Sequence, residues 1–230
     1  MIRLLLLPGL NGSDRLFAPL LPWLDGIQVT CLELPRRGAQ DHDSLAEALS
    51  GQLGDTPFVL LGESFSGPLA HRLALQAPSG LRGLILAASF LQCPSPLLAL
   101  AKHLPLPRSL LGHPATLRLL CTGKIEPQHL QAISEEIQRL PSELLRARLR
   151  SLANLREPER TLQLPTLHLW PQADRLVSQA AAKGIARHCS DLRQERIDGP
   201  HFLLQSRPQA CAQAIRRFMA ELAVTSPALP

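Results

Sequence analysis

The sequence predicts an α/β fold: a mainly parallel sheet of about six strands flanked by helices, with an inserted helical cap. Three observations carry that expectation. Short apolar or alternating runs at residues 2–7, 27–34, 57–61, 81–88, 165–170 and 192–197 have the length and periodicity of strands. Stretches with apolar residues at helical spacing separate them, and strand–helix–strand units of this kind imply parallel pairing through right-handed crossovers. From about residue 90 to residue 163 the alternation stops, and the chain becomes rich in leucine and proline and helical in pattern. Residues 1–89 and 164–230 are therefore expected to form the core domain, and residues 90–163 a cap inserted into it.

Taken in order, residues 2–7 are too short an apolar run for a secretory segment and lack a cleavage site of small residues, so they are expected to be a buried strand. Gly9 and Gly12 in the following loop would let the backbone approach a ligand, although an ordinary strand-to-helix turn has the same composition. Residues 15–24 are expected to be a short helix around Leu16, Phe17, Leu20, Leu21 and Trp23, and residues 27–34 a strand ended by Pro35. Ser44-x-x-Glu47 has the form of a capping box opening a helix through Leu45, Leu49 and Leu53. Within the cap, helical patterns run through Leu97, Leu98, Leu100 and Ala101, then through Leu117, Leu119 and Leu120. They continue through Ile133, Ile137 and Leu140, and through Leu144, Leu145, Leu149 and Leu152. Prolines from Pro94 to Pro141 break them into short helices. Helices are also expected over residues 178–188 and, amphipathic, over residues 205–222.

The chemistry centres on Gly62-Glu63-Ser64-Phe65-Ser66-Gly67. The apolar run at residues 57–61 precedes it, and Leu69, Ala70, Leu73, Ala74 and Ala77 follow at helical spacing. Ser64 thus stands where a strand turns directly into a helix, its Oγ lifted to the carboxyl edge of the sheet. So tight a turn needs small residues two before and two after the serine, here Gly62 and Ser66. This is the nucleophile-elbow pattern, with Ser66 where glycine is usual. Asp174 lies just past the strand at residues 165–170, and His201 lies in a loop after the strand at residues 192–197. Both therefore fall at the sheet edge that carries Ser64.

With these residues in this order the chain resembles the α/β-hydrolase superfamily of serine hydrolases, over residues 2–222. The matching motifs are Pro8-Gly9-Leu10, the elbow, Asp174-Arg175-Leu176-Val177 and Gly199-Pro200-His201-Phe202. The resemblance implies an α/β-hydrolase fold and a catalytic set of Ser64 as nucleophile, Asp174 as orienting acid and His201 as base. It also implies an oxyanion hole made by the backbone N–H groups of Leu10 and Phe65. Two features depart from the pattern: Pro8-Gly9 replaces the usual His-Gly, and the chain begins at what resembles the third strand, without the opening hairpin. In size and cap layout it is similar to the pimeloyl-carrier-protein methyl esterases and related small carboxylesterases. Asp198, three residues before His201, is a second acid open to the Asp174 role. Glu63 could tune the pocket or be structural, Ser66 could simply be small, and His168 and His71 fit core positions.

Composition narrows the function further. A net charge of +5 without a dense Lys/Arg block or interleaved aromatics argues against nucleic acid, and no segment approaches the length of a membrane span. The five cysteines, Cys31, Cys93, Cys121, Cys189 and Cys211, are odd in number and scattered, as expected of a reducing cytoplasm. No His-Glu-x-x-His, paired Cys-x-x-Cys, P-loop or Gly-x-Gly-x-x-Gly occurs, so no metal or cofactor is expected. The expected partner is a small-molecule ester or acyl substrate. The cap carries ten Lys/Arg against six acids and hence most of the net charge. On its helix over Ser142–Ala153, Leu145, Leu149 and Leu152 share one face. Arg146 and Arg150, four apart, share another and could dock an acidic acyl carrier protein or head group, or simply form a solvated face. Two function classes stand: a serine esterase or thioesterase, and a catalytically idle hydrolase fold that binds a ligand.

Overall fold

The structure, a computed structural model, describes residues 2–96, 98, 108–120 and 125–225. Six strands form one sheet: β1 (Arg3–Leu7), β2 (Val29–Cys31), β3 (Phe58–Glu63), β4 (Leu81–Ala87), β5 (Thr166–Pro171) and β6 (Leu192–Ile197). Their order is β2-β1-β3-β4-β5-β6, and every pairing is parallel. This is the α/β-hydrolase fold. Because both faces are covered, the central strands are apolar on both sides. Leu5, Leu7, Phe58, Leu60, Leu84 and Leu86 enter one core, and Leu4, Leu6, Val59, Leu61, Ile85 and Ala87 the other. The edge strand β6, Leu-Arg-Gln-Glu-Arg-Ile, is mostly exposed, and its charges discourage pairing with another chain.

Helices α1 (His42–Ser50) and α2 (Gly67–Leu75) pack on the first face. On the second, α9 (Pro208–Thr225) lays Cys211, Ile215, Phe218, Met219 and Leu222 against the sheet. Between β4 and β5 the chain runs through α3 (Arg108–Leu111), α4 (Pro114–Leu120), α5 (Pro127–Arg139) and α6 (Ser142–Ala153). The expected helical pattern at Leu97, Leu100 and Ala101 lies outside the described residues, as do Lys102, Pro105, Pro107, Cys121 and Lys124. After β5 come α7 (Gln179–Gly184) and, beyond β6, α8 (Leu203–Ser206).

Several expectations are corrected. Residues 15–24 are not one helix but two 3-10 turns, Asp14–Phe17 and Leu21–Leu24, because Pro19 and Pro22 withhold the N–H groups an α-helix needs. The strand expected over residues 27–34 pairs only at Val29–Cys31, as befits an edge with a single neighbour. Helix α1 begins earlier than the Ser44 box: Asp41 is its N-cap and accepts the Ser44 N–H at 2.9 Å. The helix expected over residues 178–188 tightens into a 3-10 turn at Ile185–Arg187. The one expected over residues 205–222 is broken at Arg207, since Pro208 must open a new helix.

The turn after β3 closes on its own strand. A Cβ added at Gly62 would sit 2.5 Å from the Ser66 carbonyl oxygen and 2.8 Å from the Ala70 Cβ. At Gly83 an added Cβ would meet Leu222 Cδ1 at 2.6 Å and the Phe218 ring at 3.0 Å, the ends of side chains that can yield. Gly62→Ala should therefore cost about 1–3 kcal/mol in urea unfolding, as overpacking against backbone does, and Gly83→Ala clearly less. Equal unfolding midpoints for the two variants would contradict this account of the turn.

Candidate active site

Three strand ends deliver three side chains to one point. Ser64 follows β3, Asp174 lies three residues past β5, and His201 lies four past β6. Ser64 Oγ is 2.8 Å from His201 Nε2, and His201 Nδ1 is 2.8 Å from Asp174 Oδ2. An ionised carboxylate can only accept, so Nδ1 carries the proton and Nε2 is left to accept from the serine hydroxyl. Asp174 is itself fixed, its Oδ1 accepting the Leu176 and Val177 N–H groups at 2.8 and 2.9 Å. Asp198 is exposed, and the His201 nitrogen it might have served is occupied by Asp174.

Electrostatics follow the geometry. Burial alone would lower the His201 pKa, but the Asp174 charge and hydrogen bond, with help from Glu63, hold it above the ordinary histidine value. Burial alone would raise the Asp174 pKa; the charge and hydrogen bond of His201 and the two backbone N–H groups outweigh it, and the pKa falls below the usual carboxylate range.

Ser64 has φ +47°, a left-handed conformation that is strained for a non-glycine residue. Its surroundings hold it there. Ser89 Oγ donates to the Ser64 carbonyl at 2.8 Å, and Gly67 gives Ser89 the room, since an added Cβ there would collide with that hydroxyl. Ser66 is more than small: its hydroxyl donates to the Pro8 carbonyl and ties the elbow to the loop after β1. Phe65 is buried, and its N–H lies in the first turn of a helix, where no intrahelical acceptor is in reach. Leu10 is half-buried in the loop after β1, where the Gly12 N–H donates to the Gly9 carbonyl at 3.0 Å.

Glu63 is buried beneath that loop. Its Oε2 accepts the Gly9 N–H at 3.3 Å and its Oε1 accepts from Gln205 Nε2 at 2.8 Å. Burial pushes its pKa up, with Gln205, His201 and Gly9 acting in the opposite direction. His168 and His71 are core histidines, each fully buried and pushed down to about 4 by burial.

Arg146 and Arg150 are exposed on α6, away from the buried face. Arg148, which the spacing sets apart from Arg146 and Arg150, points inward: it is 0% exposed and lies in line with Leu144 and Leu152 on the buried side. Two residues near the site escaped sequence reasoning altogether. His42 is buried, its Nε2 donating to the Phe65 carbonyl at 3.0 Å and its Nδ1 accepting from Ser151 Oγ at 3.1 Å. Glu136 on α5 is buried and accepts from Ser13 Oγ at 2.7 Å. For Arg148 the signal was present: a cation set four residues from a leucine on either side interrupts an otherwise apolar stripe. For His42 and Glu136 nothing in the local pattern marks them.

Among the described residues no cluster of His, Cys, Asp and Glu could hold a metal ion, and no helix is long and apolar enough to cross a membrane.

Comparison with known proteins adds three findings. The family Hydrolase_4, serine aminopeptidase, S33, matches residues 36–203, a span that holds Ser64, Asp174 and His201 but not Leu10. The AMB antimetabolite synthetase AmbE of Pseudomonas aeruginosa is 30% identical over 171 residues, which is 72% of this chain but only 8% of the synthetase's length. In structure, a thermophilic esterase from Thermogutta terrifontis aligns over 96% of this chain and 90% of its own, with TM-score 0.79 and 22% identity. The type II thioesterase BorB from the borrelidin biosynthetic cluster aligns over 94% and 92%, with TM-score 0.70 and 22% identity. At such identities these two likenesses speak to the fold.

NMR titration of the His201 imidazole should give a pKa above the ordinary histidine value. Asp174→Asn removes the opposing charge and leaves burial in control, so the pKa should drop below that value. Asp198→Asn should leave it in place; the reverse ranking would make Asp198 the partner.

Proposed function

The chain belongs to the Hydrolase_4 family, serine aminopeptidase, S33, and on that premise we propose that it is a serine hydrolase cleaving carboxylic esters of small or acyl-chain substrates. The observation that carries this reading is the continuous path from Ser64 Oγ through the His201 ring to Asp174, each step 2.8 Å. A serine hydroxyl attacks a carbonyl only if a base takes its proton as the bond forms. His201 Nε2 is that base, and its proton then goes to the leaving alkoxide. Asp174 holds the tautomer and stabilises the imidazolium. Water, activated by the same imidazole, hydrolyses the acyl-enzyme. The oxyanion accepts from the Leu10 and Phe65 N–H groups, each worth about 3 kcal/mol by comparison with similar sites.

Residues 90–163 act in this proposal as a lid whose leucines wall an acyl pocket, over a core of residues 1–89 and 164–230. Unpaired thiols at Cys31, Cys93, Cys189 and Cys211 are compatible with a reducing cytoplasm. A second reading, an acyl thioesterase or methyl esterase acting on carrier-protein or CoA conjugates, draws on two observations. One is the fold likeness to the type II thioesterase BorB, and the other is the pair of exposed cations, Arg146 and Arg150, on the lid.

A fluorophosphonate probe should label the wild type and not Ser64→Ala, and that variant should lose on the order of 10⁶-fold in kcat with its fold intact. An unlabelled, inactive wild type would instead point to a ligand-binding role. Chain-length series of p-nitrophenyl esters and acyl-CoA, run beside an aminoacyl p-nitroanilide, decide among ester, thioester and peptide substrates. Because the base must be neutral, kcat/KM should fall as pH drops through the raised His201 pKa. Arg146→Glu with Arg150→Glu should raise KM for an anionic acyl substrate, most at low salt, and leave a neutral ester unaffected. Equal effects on both substrates would reduce these arginines to a solvated face.

A further inference from the structure

Among the described residues, Arg148 is a buried cation without an anionic partner. Its side chain is fully buried, yet among the described residues no carboxylate lies within ion-pair distance of it. Burial and the nearby Arg36 charge lower its pKa only to about 10, so it stays protonated at neutral pH. Removing a charge from water without a counter-ion is costly, and apolar packing would fill the same space at less expense. What the guanidinium has instead is three neutral acceptors on two loops of the core, the one after β1 and the one after β2. Nε donates to Gln40 Oε1 at 3.0 Å, Nη1 to the Leu10 carbonyl at 2.8 Å and Nη2 to the Pro35 carbonyl at 3.2 Å.

The loop after β1 is shaped around that group. A Cβ added at Gly12, which has φ +74°, would lie 2.3 Å from Nη1, so the backbone closes directly onto the guanidinium. The same cation stands 5.9 Å from the centre of the Phe65 ring. One turn further along α6, Ser151 donates to His42, which donates to the Phe65 carbonyl. A single helix outside the sheet therefore holds the carbonyl of Leu10 directly and that of Phe65 through one histidine.

We propose that Arg148 is a positioning residue for the oxyanion hole, clamping the Leu10 loop so that its N–H faces the developing charge only while α6 is seated on the core. The proposal rests on the reading of Leu10 and Phe65 as the oxyanion donors. Arg148 touches neither substrate nor the reacting atoms. It acts through the Leu10 backbone, holding the carbonyl on one side of the Cα and so the orientation of the N–H on the other, and it makes the seating of the helical insertion a condition for turnover rather than for substrate capture.

The test uses the full chain with a neutral p-nitrophenyl ester. Arg148→Met should lower kcat by about 10²-fold, the scale of a misplaced catalytic group, while KM changes less than about threefold. Affinity for a trifluoromethyl ketone, whose adduct carries an oxyanion, should fall in parallel with kcat/KM. The pH limb set by His201 should stay in place, because the Ser64–His201–Asp174 geometry is untouched. Should the methionine variant fail to fold, Arg148→Lys keeps the buried charge but cannot reach all three acceptors, and it too should lose kcat at constant KM. Millimolar guanidinium should restore part of the kcat lost in Arg148→Ala.

Unchanged kcat in a folded variant, a rise in KM alone, or a fall in melting temperature with kcat intact would each overturn the proposal and leave the esterase reading standing. An unlabelled, inactive wild type would remove the esterase reading itself, and this one with it.

Discussion

Ser64 occupies a backbone conformation that an L-residue keeps only when its neighbours hold it there, and much of the surrounding sequence serves that requirement. Gly62 leaves room for the Ser66 carbonyl, Gly67 leaves room for Ser89, and Ser89 holds the carbonyl of the strained residue itself. The strain costs on the order of 1–3 kcal/mol and is borne by a strand buried on both faces and paired on both sides. In return the hydroxyl stands clear of the backbone at the sheet's carboxyl edge. There the ends of β5 and β6 can bring an acid and an imidazole to it.

Much of this was legible in the residues. The six strands, their parallel arrangement and the strand-to-helix turn at Ser64 all rest on apolar runs and small residues at fixed offsets, and such patterns survive without knowledge of tertiary contacts. Asp174 and His201 could be placed because both follow strands whose ends must share an edge. What stayed hidden depends on contacts between segments far apart in sequence. His42 is an ordinary first-turn residue until Phe65 and Ser151 are brought to its two nitrogens. Arg148 counts as a polar residue in any periodicity, so it turned the apparent apolar face of α6 toward Leu149. The buried stripe in fact runs through Leu144, Leu145, Arg148 and Leu152. The 3-10 turns at Asp14–Phe17 and Leu21–Leu24 show the opposite case: the apolar residues have helical spacing, but Pro19 and Pro22 interrupt the hydrogen bonds an α-helix needs.

The loop after β1 lies between three buried ionisable side chains. Glu63 holds the Gly9 N–H from below, Glu136 takes the Ser13 hydroxyl from α5, and Arg148 takes the Leu10 carbonyl from α6. The bond from the Arg148 guanidinium is charge-assisted, and such bonds are stronger than those between neutral groups. A loop of six residues fixed at three points from both sides has little freedom left, which is what a preorganised anion site needs. The arrangement also explains why a chain with so few aromatic residues can keep a rigid site, since directional polar contacts replace the packing of large rings.

The helical insertion leaves from β4 and returns to β5, and these strands are immediate neighbours in the sheet. Because the two strands run parallel, the segment leaves at the carboxyl edge and re-enters at the opposite edge, so its ends are held a fixed distance along the sheet whatever lies between them. Loop-closure entropy grows only slowly with length, so the sheet is nearly indifferent to how long or how helical that segment is. Related chains could exchange this segment wholesale while the strand ends stay as they are. The constraints on such an exchange are local: whatever replaces α5 and α6 must still reach Ser13, the Leu10 carbonyl and His42, or the loop they steady must find another support.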